Sequence, residues 1–353
     1  MKWLKIFVLT GSAVMFLMVT GCENKKINSG TDTDHIDSNL GSDIPIDYGL
    51  FCGDECQEAL TVQTSFDSIK GKVGLIASGK FPYGLGTERM GQEAANKYFP
   101  GMELITGNGN SDPALQSAII NDFISQNVDV IVIDLVEKNS VNEALIHAKE
   151  AGIPVITIDR WTPVEVVSLI KAEDVEVGRK AGQHVVSLLE GKGNVIEMKG
   201  TEASTTTIDR HEGILEAFIG YPDIKVIESV NADFDEIKAF HMMEELLERF
   251  PKGEIDALVS HADVMTMGAT LAIRAAGRKG EIAVVSVDGQ ASALTAIEAG
   301  TIDATVAYPI AMPMGIIAAA KVLAGEAIPE FIQLDAPLIT KENVSNYINT
   351  LGY

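Results

Sequence analysis

The chain has 353 residues, with 50 acidic side chains against 27 basic ones and a formal net charge of −23. A composition of 46% hydrophobic and 22% charged residues excludes wholesale disorder, and at roughly 150 residues per domain the length suggests two domains. The acidity excludes nucleic-acid binding through clustered Lys and Arg and argues against a basic membrane-surface protein; three cysteines are too few for a disulfide scaffold.

Lys2 and Lys5 precede an uncharged run from Ile6 to Val19. Such a run is short of the about 20 apolar residues that a spanning helix takes, and has the size of a secretory h-region behind a positive n-region. Val19-Thr20-Gly21-Cys22 follows and resembles the lipobox of bacterial lipoproteins. That resemblance implies a signal peptide over 1–21, lipidation of Cys22, and an extracytoplasmic globule anchored to a bacterial membrane; more than one acyl chain gives stable anchoring. Residues 22–69 are polar and aperiodic at first and read as a flexible tether. Within them stands Cys52-Gly53-Asp54-Glu55-Cys56. A local disulfide, free thiols and a metal knuckle are all open, although no second Cys pair stands nearby to complete a metal site.

From Lys72 onward, short β-branched runs alternate with helical stretches. Strands are expected at Val73–Ala77, Glu103–Thr106, Val130–Ile133, Pro154–Ile158 and Val166–Ile170. The runs at 130–133 and 154–158 are continuously apolar, as parallel strands covered on both faces should be. Helices are expected over 87–98, from Asp112 as N-cap with Pro113 at N1, and from Ser140 to about Gly152. The second of these carries Leu115, Ile119, Ile120 and Phe123 on one face. After Lys171 the pattern restarts. Helices are expected over 175–189, 207–218, 237–250, 267–276 and 292–299, with Gly300 at C′. Strands are expected at 194–198, 225–230, 257–260 and 282–287. The fold class that follows is α/β, with two doubly wound parallel-sheet lobes.

In such sheets ligands bind beyond the carboxyl ends of the strands. Those ends hold Ser78, Lys80, Phe81 and Tyr83; Asp134; Asp159, Arg160 and Trp161; Lys199 to Thr207; Asn231 to Phe234; His261 to Asp263; and Asp288-Gly289-Gln290. Polar and aromatic residues collect there in both halves, so a cleft between the lobes is the expected binding site.

Ile153-Pro154-Val155-Ile156-Thr157-Ile158-Asp159-Arg160 resembles the signature of the ribose/galactose-type periplasmic binding proteins, the type I substrate-binding proteins of sugar ABC transporters. Asp209-Arg210-His211-Glu212-Gly213, Ala232-Asp233-Phe234-Asp235 and Val285-Ser286-Val287-Asp288-Gly289 agree in order and spacing, as do 304–307 and 321–325. The resemblance covers about 72–353. It implies a three-segment hinge, a first lobe of 70–172 plus 309–335, and a second of 173–308 plus 336–353. It implies a monomeric sugar-binding receptor that delivers a neutral monosaccharide or cyclitol to an ABC permease, without cofactor or metal. A sensory receptor signalling to a chemoreceptor or membrane kinase, or a receptor for a non-sugar ligand, is the alternative.

Asp159 and Arg160 match the family's adjacent acceptor and donor, Arg210 a ligand arginine, Asp288 the second-lobe acceptor, and Phe234 a ring contact opposed by Phe81 or Tyr83. A carboxylate accepts from two neighbouring hydroxyls and a guanidinium fork donates to two oxygens, which suits a polyol. The plainer readings are a structural ion pair, a surface arginine, a turn cap and core packing. Trp161 is a further candidate that could instead shield the hinge. The chain departs from the ribose pattern at Asp134 and Ala262, where amides are usual, and at Tyr308, where a Gln is usual. His261 is placed to replace the amide lost at Ala262. Three carboxylates against Arg160 and Arg210, with Lys80 nearby, disfavour an anionic ligand and leave room for an amine-bearing one.

No catalytic set appears: no Gly-x-Ser-x-Gly elbow surrounds Ser204, and the histidines lack paired metal spacing. Gly74 to Lys80 has Walker spacing, but Phe81 stands where the Mg²⁺-binding hydroxyl is needed. An enzyme is not expected.

Overall fold

The computed structural model describes residues 45–348. The expected signal peptide, the expected lipidation site Cys22 and the start of the expected tether, all within 1–44, lie outside the described residues, as do 349–353. Among the described residues no helix is long and apolar enough to cross a membrane.

The first series of elements runs α1 (Asp54–Leu60), β1 (Gly71–Ala77), α2 (Pro82–Tyr98), β2 (Met102–Asn108), α3 (Pro113–Ser125), β3 (Val130–Asp134), α4 (Asn142–Glu150), β4 (Val155–Ile158) and β5 (Ser168–Ala172). The second runs α5 (Asp174–Leu188), β6 (Gly193–Lys199), α6 (Thr205–Phe218), β7 (Ile224–Asn231), α7 (Glu236–Arg249), β8 (Ala257–Ser260), α8 (Asp263–Ala275), β9 (Ala283–Asp288), α9 (Ala291–Glu298) and β10 (Ala304–Ala307). The chain then forms α10 (Met314–Leu323), β11 (Phe331–Leu334) and β12 (Leu338–Thr340).

These strands form two six-stranded sheets, ordered β2-β1-β3-β4-β5-β11 and β7-β6-β8-β9-β10-β12. All pairings are parallel except β10 with β12. Strands β3 and β4 are buried at every position, which is why their sequence is continuously apolar rather than alternating. The chain passes between the sheets after β5, after β10 and after β11. Helix α10 returns to pack on α2, β3 and β4. In each sheet the order reverses beside the first strand of its series, between β1 and β3 and between β6 and β8. A crevice opens at the carboxyl ends on either side of such a reversal.

Helix α3 begins as expected: the Asp112 carboxylate accepts from the Ala114 and Leu115 amides at 2.8 and 3.3 Å, and Pro113 opens the first turn. Its buried face is rotated from the expected one. Leu115 is largely exposed and Gln116 is buried, because the Gln116 amide donates to the Asp134 carbonyl and accepts from the Val136 amide at 2.8 and 2.9 Å. Gly74 lies inside β1 and packs on the Phe123 ring, so the Walker-like spacing forms no phosphate loop.

The tether expected over 22–69 needs correcting from residue 45 onward. Cys52, Cys56 and Leu60 fall at i, i+4 and i+8, and all three are buried in the main core with Ile69. Cys52 and Cys56 form a disulfide. The Phe51 carbonyl accepts from the Asp335 amide between β11 and β12 at 2.8 Å. Lys321 donates to the Thr61 carbonyl at 2.6 Å, and Glu326 accepts from the amides of Gln63 and Thr64 at 3.0 and 2.8 Å. The acidic residues between the apolar positions mask the helical period in the sequence.

Candidate functional site

A narrow cleft of about 30 Å³ lies between the carboxyl ends of the two sheets, the place where ligands of such folds bind. Phe81 before α2 and Pro82 and Tyr83 at its start come from the first sheet's side, as do Asp159 and Arg160 just past the end of β4. From the second sheet come Thr206 and Arg210 of α6, Phe234 after β7, Ala262 and Val264 around the start of α8, and Asp288 and Gln290 after β9. Tyr308, on the second crossing, closes the hinge end.

The first-lobe charges form a buried cluster. Asp159 Oδ2 lies 3.2 Å from Arg160 Nε, and Arg160 Nη1 donates to the carbonyls of Leu135 and Val136. Burial raises the Asp159 pKa, with the Arg160 charge opposing. Burial would lower the Arg160 pKa, but Asp134 and Asp159 beside it more than offset that and hold it raised.

In the second lobe, Arg210 is placed by backbone-to-backbone packing of α5 on α6. A Cβ on Gly178 would stand 2.1 Å from the Arg210 carbonyl, and one on Gly213 1.9 Å from that of Val175, so only glycines allow this approach. The close approach sets Arg210 Nε 2.9 Å from Asp174 Oδ1 at the start of α5. Arg210 Nη1 donates to the His261 carbonyl at 2.6 Å and lies 3.7 Å from Asp288 Oδ1. The Tyr308 ring covers the guanidinium at 4.4 Å. The asymmetry in both arginines decides what they can bind. A guanidinium has five N–H donors, and for neither does a protein acceptor take the Nη2 group among the described residues. Each arginine is held through Nε and Nη1 and leaves its Nη2 group for a ligand.

Asp288 ends β9, and its Oδ2 accepts from the Asp263 amide and the Gln290 side chain at 3.3 and 3.2 Å. Burial drives its pKa well above the ordinary carboxyl value against the pull of Arg210. Asp263 holds the loop that follows by accepting from the Gln290 amide at 2.7 Å and the Thr305 hydroxyl at 2.9 Å. The Phe234 ring sits on Gly200, where a Cβ would fall 2.0 Å from its Cζ.

Of the residues expected from the sequence, Phe81, Tyr83, Asp159, Arg160, Arg210, Phe234, Asp288 and Tyr308 meet in this cleft. Five do not line it. Ser78 is buried and bonds Asp134 through both its amide and its hydroxyl. Asp134 is fully buried behind Arg160, 3.9 Å from Nη1, and burial pushes its pKa up to about 7. Lys80 is exposed. Trp161 is covered by Lys138, whose ammonium lies 3.3 Å over the ring. The His261 side chain turns away into the lobe, with Nε2 3.0 Å from Glu197 Oε1; only its carbonyl serves the site, through Arg210. Burial would raise the Glu197 pKa, but hydrogen bonds to His261, His211 and Ser229 bring it down to about 2. Pro82, Thr206 and Gln290 stand at strand ends that the sequence marked without being singled out as ligand residues, and Val264 lies just outside those ends. Thr206 stands four residues before Arg210 on the same helical face, a spacing that could have found it.

The lining thus sets two carboxylates against two guanidiniums, with aromatic rings from both lobes. Acceptors, donors and ring faces in this arrangement can hold a small molecule rich in hydroxyls.

Residues 85–326 match the family described as periplasmic binding protein domain. The chain belongs to that family. The ribose import binding protein of Escherichia coli (strain K12) is 31% identical over 257 residues, which cover 71% of this chain and 84% of that protein. The xylitol-binding protein of Mycolicibacterium smegmatis is 29% identical over 69% of this chain and 70% of its own length. Among solved structures, an ABC transporter solute-binding protein from Bacillus halodurans with bound myo-inositol superposes with a TM-score of 0.76 at 27% identity, covering 81% of this chain and 99% of that one. The fructose-binding periplasmic domain of a hybrid two-component system superposes with a TM-score of 0.75 at 26% identity, over 79% and 93%. Periplasmic binding proteins bind solutes and are extracytoplasmic, and the two parallel-sheet lobes of this chain are the type I form of that fold.

Proposed function

We propose that this chain is an extracytoplasmic receptor that captures one uncharged monosaccharide or cyclitol and presents it to an ABC importer. The observation that carries this reading is the matched cleft: Asp159 with Arg160 on one lobe and Asp288 with Arg210 on the other, between Phe81 and Phe234. Charge balance within the lining favours a ligand of no net charge. The relatives and structural neighbours named for ribose, xylitol and myo-inositol support the same class. Closure is a population shift: contacts made from both lobes at once exist only when the cleft is shut.

The test is calorimetric titration with D-ribose, xylitol, myo-inositol and D-fructose, after a thermal-shift screen, since a ligand that binds only the native state raises Tm. One of these should bind, and Asp159→Ala and Arg210→Ala should each remove most of the affinity while the fold survives. Wild-type affinity in both variants would overturn the site assignment. A second reading, favoured by the likeness to the fructose-binding domain of a hybrid two-component system, has the same closure read by a sensor protein. Ligand-dependent stimulation of ATP hydrolysis by a reconstituted importer decides for transport.

A further inference from the structure

We infer that Asp174 is the positioning residue that holds Arg210 aimed into the cleft and ties that aim to the hinge. The inference rests on the receptor reading for its ligand, but its geometry stands apart. Asp174 is the first residue of α5, immediately after the first crossing between lobes, and is fully buried. It does not line the cleft. Its two oxygens take three partners from three parts of the fold. Oδ1 accepts from Arg210 Nε of α6 at 2.9 Å. Oδ2 accepts from Lys171 Nζ, on the last strand before the crossing, at 2.7 Å. Oδ2 also accepts from the Tyr308 hydroxyl, on the second crossing, at 3.3 Å. Tyr308 in turn covers the Arg210 guanidinium with its ring.

One carboxylate therefore joins two of the three chain crossings to a guanidinium that faces the ligand. Without this charge the bond from Arg210 Nε is no longer charge-assisted, and the His261 carbonyl at 2.6 Å is left as the stronger hydrogen-bonded anchor, about which Arg210 can rotate. Lys171 belongs to the first sheet and Asp174 to the second lobe, so any change of hinge angle is felt at the Lys171–Asp174 pair and passed to Arg210. A buried side chain that acts only through Arg210 should show no effect of its own once Arg210 is gone.

The experiment is a double-mutant cycle on the full chain. The probe is whichever of D-ribose, xylitol, myo-inositol or D-fructose binds the wild type most tightly by calorimetry. Asp174→Asn should weaken it by about 10-fold or more, and in an Arg210→Gln background the same change should cost less than 2-fold. Equal losses in the two backgrounds, or wild-type affinity in Asp174→Asn, would overturn the inference. Should Asp174→Asn fail to fold, Asp174→Glu, which keeps the charge and displaces the carboxylate by one methylene, enters the same cycle with the same expectation. The Arg210 Nε–Hε resonance gives a readout free of ligand. It should be slowly exchanging in the wild type and shifted or lost in the Asp174 variant, and an unchanged resonance refutes the positioning role. If no probe binds the wild type, the receptor reading for these ligands fails, and the resonance alone judges Asp174.

Discussion

Asp288 offers a test in which stability and affinity separate. It is the last residue of β9 and has φ of +127°, a backbone conformation that glycine enters freely and other residues enter at a cost. Such strain is worth roughly 1–3 kcal/mol and persists where surrounding structure imposes it. Replacing Asp288 by Ala or by Gly removes the same carboxylate, and with it the same hydrogen bonds to the Asp263 amide and Gln290. The two variants then differ in one respect: alanine must keep the strained φ, and glycine need not. Against this, glycine loses more unfolded-chain entropy on folding, roughly 0.5–1 kcal/mol. The net expectation is that Asp288→Gly is more stable than Asp288→Ala by about 1 kcal/mol, the reverse of the usual order, or about 2 °C in Tm for a chain of this size. Ligand affinity should fall in both by roughly 1.5–3 kcal/mol, because each has lost a charge-assisted acceptor. Paired thermal and urea unfolding without ligand, followed by titration, measures both. An alanine variant that melts at or above the glycine variant would refute the argument that strain is stored at this position.

Gly200→Ala should drive the Phe234 ring off its seat, since the added Cβ would stand 2.0 Å from Cζ; overpacking of roughly 1–3 kcal/mol should appear as weaker binding in titration, although residue 200 is not in the lining. Asp134, with its pKa raised to about 7, holds a proton that the unfolded chain has released between pH 4 and 7, so its contribution falls as pH rises through that window. Asp134→Asn should flatten the wild-type decline by about 3 kcal/mol when urea midpoints are compared at pH 4.5 and 7.5; an unchanged pH dependence would show that Asp134 titrates normally. Leu60→Ala should destabilise the whole body by roughly 2–5 kcal/mol, because Leu60 is fully buried in the main core, whereas in a free tether it would leave the urea midpoint unmoved.

The fold was legible wherever burial leaves a period. β3 and β4 read as continuous apolar runs because helices cover both faces, and β8 could be placed to the residue. α1 was hidden, since its buried positions, Cys56 and Leu60, are few and stand among Asp, Glu and Gln. β11 and β12 are edge strands of four and three residues, too short to establish alternation. The site was legible to the extent that strand ends are. Asp159, Phe234 and Asp288 follow from that rule together with the family pattern. Orientation does not follow from it. Lys80 and Phe81 are adjacent, yet one is in solvent and the other in the cleft. His261 stands at the right strand end, but the Glu197 carboxylate behind it claims its ring. Asp174 belongs to no motif and does not touch the cleft, and only the three-dimensional meeting of Lys171, Arg210 and Tyr308 reveals it.

What sequence could not show at all is the backbone that aims these groups. Asp159, Phe234 and Asp288 have φ of +66°, +59° and +127°, and each stands within three residues of the end of a parallel strand. An extended strand sends its chain straight out of the sheet; a side chain that must point back over the sheet edge needs a reversal there, and a left-handed residue supplies one. The cost falls on both lobes, at the residues that furnish two acceptors and a ring wall, and it is sustained by cores in which the central residues of β1, β4, β6 and β9 are buried. A site built this way is already shaped within each lobe before a ligand arrives. The hinge is then left as the principal variable, and the role inferred for Asp174, a buried carboxylate at the first crossing, acts there.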